Sequence, residues 1–206
     1  SLEFSLLHNI PHEDVSVALM RHMNIAMEGK LDLAIRIFTN QYHRPFFHQL
    51  VSSQLDVDRL DYLSRDSFFT GVSEGTIGVD RILKLIQVVE DQLVVEEKGI
   101  YSLENFLSAR RIMYWQVYFH KTTIGIEKLL TQLVSRARHL AQHGEDLQVS
   151  EALQLFLKNE IRLDDLNAHP EYLEAFQQLD DGDIWQAIKS WTRHQDAILN
   201  LLSSML

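Results

Sequence analysis

The sequence predicts an all-α fold with a single short β-hairpin, and three observations predict it. Apolar residues recur at helical spacing along most of the chain, only 3 Pro and 8 Gly interrupt 206 residues, and the one clear β-signal is confined to a stretch near 93–102.

The chain opens at Ser1 without Met and runs almost at once into a helical pattern, so it reads as part of a longer protein. Pro11-His12-Glu13-Asp14 carries a helix-start signature, with Pro near the first turn and acids where the N-terminal dipole favours them. Val15, Leu19, Met20 and Met23 then supply an apolar stripe. A second helix is expected over 31–38, followed by a polar turn at Thr39-Asn40-Gln41. Pro45 starts another, running through Phe47, Leu50, Leu55, Leu60 and Leu63 toward Phe68. Gly71, Gly75 and Gly78 break that pattern, since glycine takes backbone angles closed to other residues.

The period is helical again over 79–89. Leu93-Val94-Val95-Glu96 and Ile100-Tyr101 flank Glu97-Lys98-Gly99, which reads as the hairpin. From 103 to 139 there is no Pro and only Gly125 as an interior breaker, so one long helix or two nearly continuous ones are expected. Shorter helices follow around 149–158, 164–167, 170–179 and 183–202. The expected domain division is 1–143, with a C-terminal helical subdomain over 144–206.

Composition narrows the function. Hydrophobic residues make up 46% and charged residues 23%, a balance that folds. The formal charge of −10 argues against a generic nucleic-acid binder, whose affinity comes from clustered Lys and Arg. Cysteine is absent, which excludes disulfides, thiolate ligands and a cysteine nucleophile, and agrees with a cytoplasmic location. No apolar run approaches the roughly 20 residues that cross a bilayer, so no membrane partner is expected.

The most informative stretch is 54–66. Asp58, Tyr62 and Asp66 fall at i, i+4 and i+8, which places two carboxylates and a phenol on one helical face. Such a face suits a divalent ion, a phosphate oxygen and a sugar hydroxyl, since Asp offers hard oxygen and Tyr a hydroxyl and a flat ring. The competing structural reading is an exposed face laced with ion pairs such as Asp61 with Arg65. Arg110, Tyr114, Tyr118 and Lys121 share a face of the long helix in the same way, with ordinary amphipathic packing as the alternative.

The run Asp56-Val57-Asp58-Arg59-Leu60-Asp61-Tyr62, with Arg65-Asp66 and Phe69-Thr70-Gly71-Val72, closely resembles the last signature of HD-domain deoxynucleotide triphosphohydrolases. His12-Glu13 resembles the pair that opens the helix after that family's metal motif, and 109–121 resembles its long helix. The resemblance covers about 2–125 and implies a helical HD-domain-like bundle. It implies that Asp58 is a metal ligand, that Arg59 and Tyr62 contact phosphates, and that Asp66 accepts the sugar 3′-hydroxyl. It further implies that His12, beside Glu13, lies at the scissile phosphate, that Arg110 reaches the phosphates, and that Tyr118 packs on the nucleoside. Lys121 falls on the same substrate-facing stretch.

By this resemblance the parent protein is a metal-dependent phosphohydrolase acting on (deoxy)nucleoside triphosphates. A bound divalent metal (Mn, Mg, Fe, Ni or Zn) would polarise a phosphoryl oxygen or activate water, and a homodimer is expected. The chain departs from the family at one point: it contains no His-Asp dipeptide, so of the family's metal ligands only Asp58 has a counterpart. One carboxylate does not organise a metal site, and the chain alone is expected to bind metal weakly and turn over little. The alternatives are an HD phosphohydrolase acting on another phosphoester and a non-catalytic helical module that binds nucleotide or a partner.

Overall fold

Caps and turns set most of the element boundaries. The computed structural model describes Leu7 and residues 10–206. Helix α1 (His12–Ala26) starts behind Pro11 with Glu13 and Asp14 in its first turn, and α2 (Asp32–Phe38) follows. The helix expected from Pro45 to Phe68 is two, α3 (Phe46–Val51) and α4 (Val57–Thr70). Asp56 separates them, because its side chain takes the Arg59 backbone N–H and caps α4.

At the other end of α4, Gly71 sits at φ 72°, the left-handed C-cap that glycine adopts without strain. Of the three glycines expected to break the chain there, Gly71 alone has a positive φ. Gly75 is needed for another reason. It lies in a short 3-10 turn (Ser73–Gly75), where a Cβ would come 2.5 Å from Met113 Sδ and 3.2 Å from Ser67 Cβ.

Helix α5 (Val79–Leu85) ends before the hairpin of β1 (Ile86–Val89) and β2 (Gln92–Val95). One hairpin is present, but it spans 86–95 and not 93–102: Ile86 pairs with Val95 and Val89 with Gln92 in antiparallel register. Its two-residue turn, Glu90-Asp91, has φ of 51° and 59°, the conformation that matches strand twist. Ile100 and Tyr101, expected in a strand, instead open α6 (Ile100–Met113), after a 3-10 turn at Glu97–Gly99.

The long helical stretch is two helices. A π turn (Tyr114–Tyr118) closes with Phe119 N–H on Tyr114 C=O at 2.7 Å, and α7 (Lys121–Gln142) follows. Gly125, the expected breaker, lies inside α7. Four capped or proline-started helices come next, namely α8 (Glu151–Lys158), α9 (Leu163–Ala168), α10 (Pro170–Gln178) and α11 (Asp181–Trp191). Asp196 caps α12 (Ala197–Met205), so the helix expected over 183–202 is also divided. No helix among the described residues is long and apolar enough to cross a membrane.

By contacts the chain forms two compact units, 1–29 with 125–206, and 30–124, the division falling inside α7. The family domain boundary at 143 expected from the sequence is a separate matter and stands as a proposal. In the first unit, Leu133, Ala137, Phe156, Leu166 and Leu199 anchor a core to which α1 contributes Val15 and Ala18. In the second, Leu60 and Leu63 of α4 pack with Phe106, Ala109 and Met113 of α6 and with Ile82 of α5. That α4–α6 packing carries the candidate site, because the opposite sides of the same helix turns hold its polar residues.

Candidate functional site

Helix α4 buries Leu60 and Leu63, and this rotates Tyr62 and Asp66 to a half-buried border while leaving Asp58 exposed on the first turn. Across from them, the C-terminal part of α6 and the π turn present Arg110, Tyr114 and Tyr118, all half-buried. The Tyr118 hydroxyl donates to Asp66 Oδ2 at 2.6 Å. The Tyr62 and Tyr118 rings meet edge to face at 6.1 Å, and Tyr114 packs on Tyr118 at 5.1 Å. The Arg110 guanidinium lies 5.7 Å from the Tyr114 ring centre, a cation–π contact.

Two of these phenols, Tyr118 and Tyr62, are held neutral. Burial pushes the Tyr118 phenol up, and its hydrogen bond to the Asp66 carboxylate pushes it further. Burial also raises Tyr62, with the Tyr114 hydroxyl adding to the effect, while Arg110 and Arg59 pull it down. Two cations therefore reach the same phenol from different elements. Among the described residues nothing donates to Asp66 Oδ1, which leaves that carboxylate one oxygen available as an acceptor.

Arg59 is oriented by a residue that sequence reasoning did not single out. Asp56 is 2% exposed, and its Oδ1 accepts the Arg59 backbone N–H at 2.8 Å. Its Oδ2 accepts from the Ser53 backbone at 3.1 Å and from Arg59 Nη1, which also donates to the Ser53 carbonyl. Arg110 is steadied more loosely, by Gln54 Oε1 at 3.4 Å. The N-cap position of Asp56, three residues before Arg59, was the signal in the sequence. Tyr114 was on the predicted face, but its place between Arg110 and the other two tyrosines depends on the π turn.

The remaining predicted residues stand as follows. Asp61 and Arg65 form the exposed pair expected from their spacing, at 2.7 Å. Lys121 is exposed at the start of α7. His12 and Glu13 are exposed at the start of α1, 3.3 Å from each other, and they belong to the other compact unit.

A divalent metal is what the resemblance implies, and the described residues test it. No three His, Cys, Asp or Glu side chains among them come together in a way that holds an ion. Asp58 brings one hard oxygen ligand but belongs to no such group of three, so the described residues do not compose a metal site by themselves. They compose a polar wall: two arginines, three tyrosines and a carboxylate with a spare oxygen. Such a wall can neutralise phosphate charge, stack against a flat ring and accept a hydroxyl proton.

Comparison with known proteins bears on the family and not on these residue roles. The family description "HD associated region" matches residues 77–155, which take in α5 to α7 and the first part of α8, with Arg110, Tyr114 and Tyr118. A crystal structure of a phosphohydrolase from Bacteroides thetaiotaomicron is 53% identical and superposes with a TM-score of 0.93, covering 98% of this chain and 50% of that one. YwfO of Bacillus subtilis, a protein of uncharacterised function, is 36% identical over 151 residues, 73% of this chain and 33% of that protein. A Dictyostelium discoideum deoxynucleoside triphosphate triphosphohydrolase SAMHD1 homolog is 30% identical over 113 residues, 52% of this chain and 22% of that protein. The chain thus spans half the length of the solved relative and a third of YwfO. By its sequence signature, its helical fold and these matches, the chain is an HD-domain phosphohydrolase-like protein.

Proposed function

We propose that the intact protein hydrolyses deoxynucleoside triphosphates, releasing deoxynucleoside and inorganic triphosphate, and that the 30–124 unit binds the substrate. The observation that carries this reading is the Tyr118–Asp66 hydrogen bond at 2.6 Å, with Asp66 Oδ1 left over as an acceptor. In the proposal Oδ1 takes the sugar 3′-hydroxyl, while the Tyr118 and Tyr62 rings bound the sugar. Crowding by two rings favours a sugar without a 2′-hydroxyl. Arg59 and Arg110 bind the phosphates, with Lys121 at the exposed edge, and neutralise the charge that develops as water attacks phosphorus. His12, next to Glu13, donates a proton to the leaving oxygen in this scheme. The described residues offer a divalent ion the Asp58 carboxylate; its other ligands are assigned to the rest of the intact protein. A cytoplasmic homodimer completes the proposal.

The relatives support the phosphohydrolase part by name, and the Dictyostelium discoideum protein supports the substrate class. The test is ³¹P NMR of the intact protein with Mn²⁺ or Mg²⁺ and a panel of ribo- and deoxynucleoside tri- and monophosphates. Intact triphosphate released from a deoxynucleotide is the expected result. Orthophosphate from a monophosphate would replace the reading with a different phosphoester, and binding without turnover would replace it with a nucleotide-binding module.

A further inference from the structure

The 30–124 unit contains a second concavity, on the side of the Ser53-Gln54 segment where the hairpin packs. It measures about 340 Å³ and is walled by Ile86, Leu93, Val95, Leu103 and Phe106. That volume lies within the range of roughly 300–1,000 Å³ typical of small-molecule sites.

Its chemistry is unlike that of the polar wall. No Lys, Arg, His, Asp or Glu lines it, so it offers nothing to a phosphate or carboxylate. Water gains little in an apolar hollow of this kind, whereas a flat apolar ring gains contact on both faces. The cavity's polar lining consists of Gln49, Ser53 and Gln54. Among the described residues the Gln54 amide nitrogen donates to nothing, which leaves a donor for one ring heteroatom.

The cavity is also pre-formed. Gln49 pins the hairpin to α3 by accepting the Leu93 N–H at 2.8 Å and donating to Gln92 Oε1 at 2.6 Å. Arg44 holds the hairpin turn through Asp91 at 2.8 Å.

Two of the cavity's polar residues also contact the candidate phosphate-binding arginines. The Ser53 carbonyl accepts from Arg59 Nη1, and Gln54 Oε1 accepts from Arg110 Nη1 at 3.4 Å. A ligand that competes for the Gln54 amide, or shifts the 53–55 backbone, changes how both guanidinium groups are presented. We propose that this cavity is an effector site for a small neutral aromatic molecule, coupled through Ser53 and Gln54 to phosphate binding by Arg59 and Arg110. The coupling half rests on the phosphate-binding role given to those arginines above. An effector acts this way only by binding one arrangement of the segment better than another.

The test uses the intact protein with quinoline, a neutral ring whose nitrogen accepts a hydrogen bond, as the probe and inorganic triphosphate as the phosphate ligand. Methyl NMR should show saturable shifts of Ile86, Leu93 and Leu103 on adding quinoline, and the triphosphate Kd should change by about fivefold. Leu103→Trp, which plugs the cavity, should abolish the methyl shifts while the thermal transition persists. Gln54→Ala should keep the shifts, reached only at higher probe concentration because the ring loses its hydrogen-bond donor, and lose the change in Kd. If wild-type methyls do not respond, another segment of the intact protein fills the cavity and the proposal is overturned. Shifts without any change in triphosphate affinity overturn the coupling. Failure of triphosphate to bind at all, with the methyl shifts present, removes the phosphate reading and with it the coupling, but leaves the ring site standing.

Discussion

Tyr118 and Asp66 are 52 residues apart and share a hydrogen bond of 2.6 Å, which joins the π turn to the middle of α4. The bond keeps the phenol neutral and orients the carboxylate, so its loss should affect substrate binding more than the fold. Tyr118→Phe removes the donor while keeping the ring, and is expected to cost about 1 kcal/mol of stability. In the intact enzyme KM for a deoxynucleotide should rise several-fold. Asp66→Asn should raise it further, since the amide cannot accept on both sides. An unchanged KM in both variants would separate Asp66 from the sugar.

Arg110 lies over Tyr114 and binds the substrate phosphates in the proposed reading. Arg110→Ala should weaken inorganic triphosphate binding by about tenfold or more, the size expected of a lost charge-assisted hydrogen bond. Arg110→Lys should restore only part of it, because an ammonium lacks the planar fork. Titration calorimetry at two salt concentrations gives the result; equal affinities in all three proteins would remove Arg110 from the phosphate site.

Asp56 is buried and takes three donors, two of them from Arg59. Asp56→Ala therefore removes an N-cap and leaves the Arg59 guanidinium without its carboxylate. The expected loss is about 2 kcal/mol, read as a lower denaturant midpoint. Asp56→Asn keeps the cap and should recover roughly half of that. A near-neutral Asp56→Ala would mean that α4 does not depend on this cap.

In the other unit, Arg136 meets Asp196 through two hydrogen bonds of 3.1 and 2.5 Å. The Arg136 bond is the main cause that holds the Asp196 carboxyl down to about 2, from a usual 3.8. A depressed carboxyl contributes stability that is present above the unfolded value and is lost as pH falls through the folded one. Unfolding free energy should therefore drop between pH 3.8 and about 2. In Asp196→Asn this component of the acid dependence should disappear, so that the two curves converge at the acid end. Parallel curves would remove Asp196 as its source.

Much of the helical framework was legible because helix signals are local. Pro11, Asp56 and Asp180 sit within a turn of the helices they start, and the 3.6-residue period shows which side is apolar. The hairpin was displaced because its turn, Glu90-Asp91, has positive φ at both residues without a glycine to announce it. Leu93-Val94-Val95 was correctly read as a strand, but its partner lies before it, at 86–89.

The sequence by itself determined the all-α class with one hairpin, the run of acids and tyrosines on α4, and the family signature those residues carry. These are properties of neighbours on one chain segment, where spacing dictates which side chains share a face. Only the tertiary structure decided that Tyr118 closes on Asp66, that Asp56 holds Arg59, and that Tyr114 fills the space between Arg110 and the other two rings. Those pairings depend on how α4 and α6 pack and on one π turn, and packing between distant segments has no period that a sequence displays.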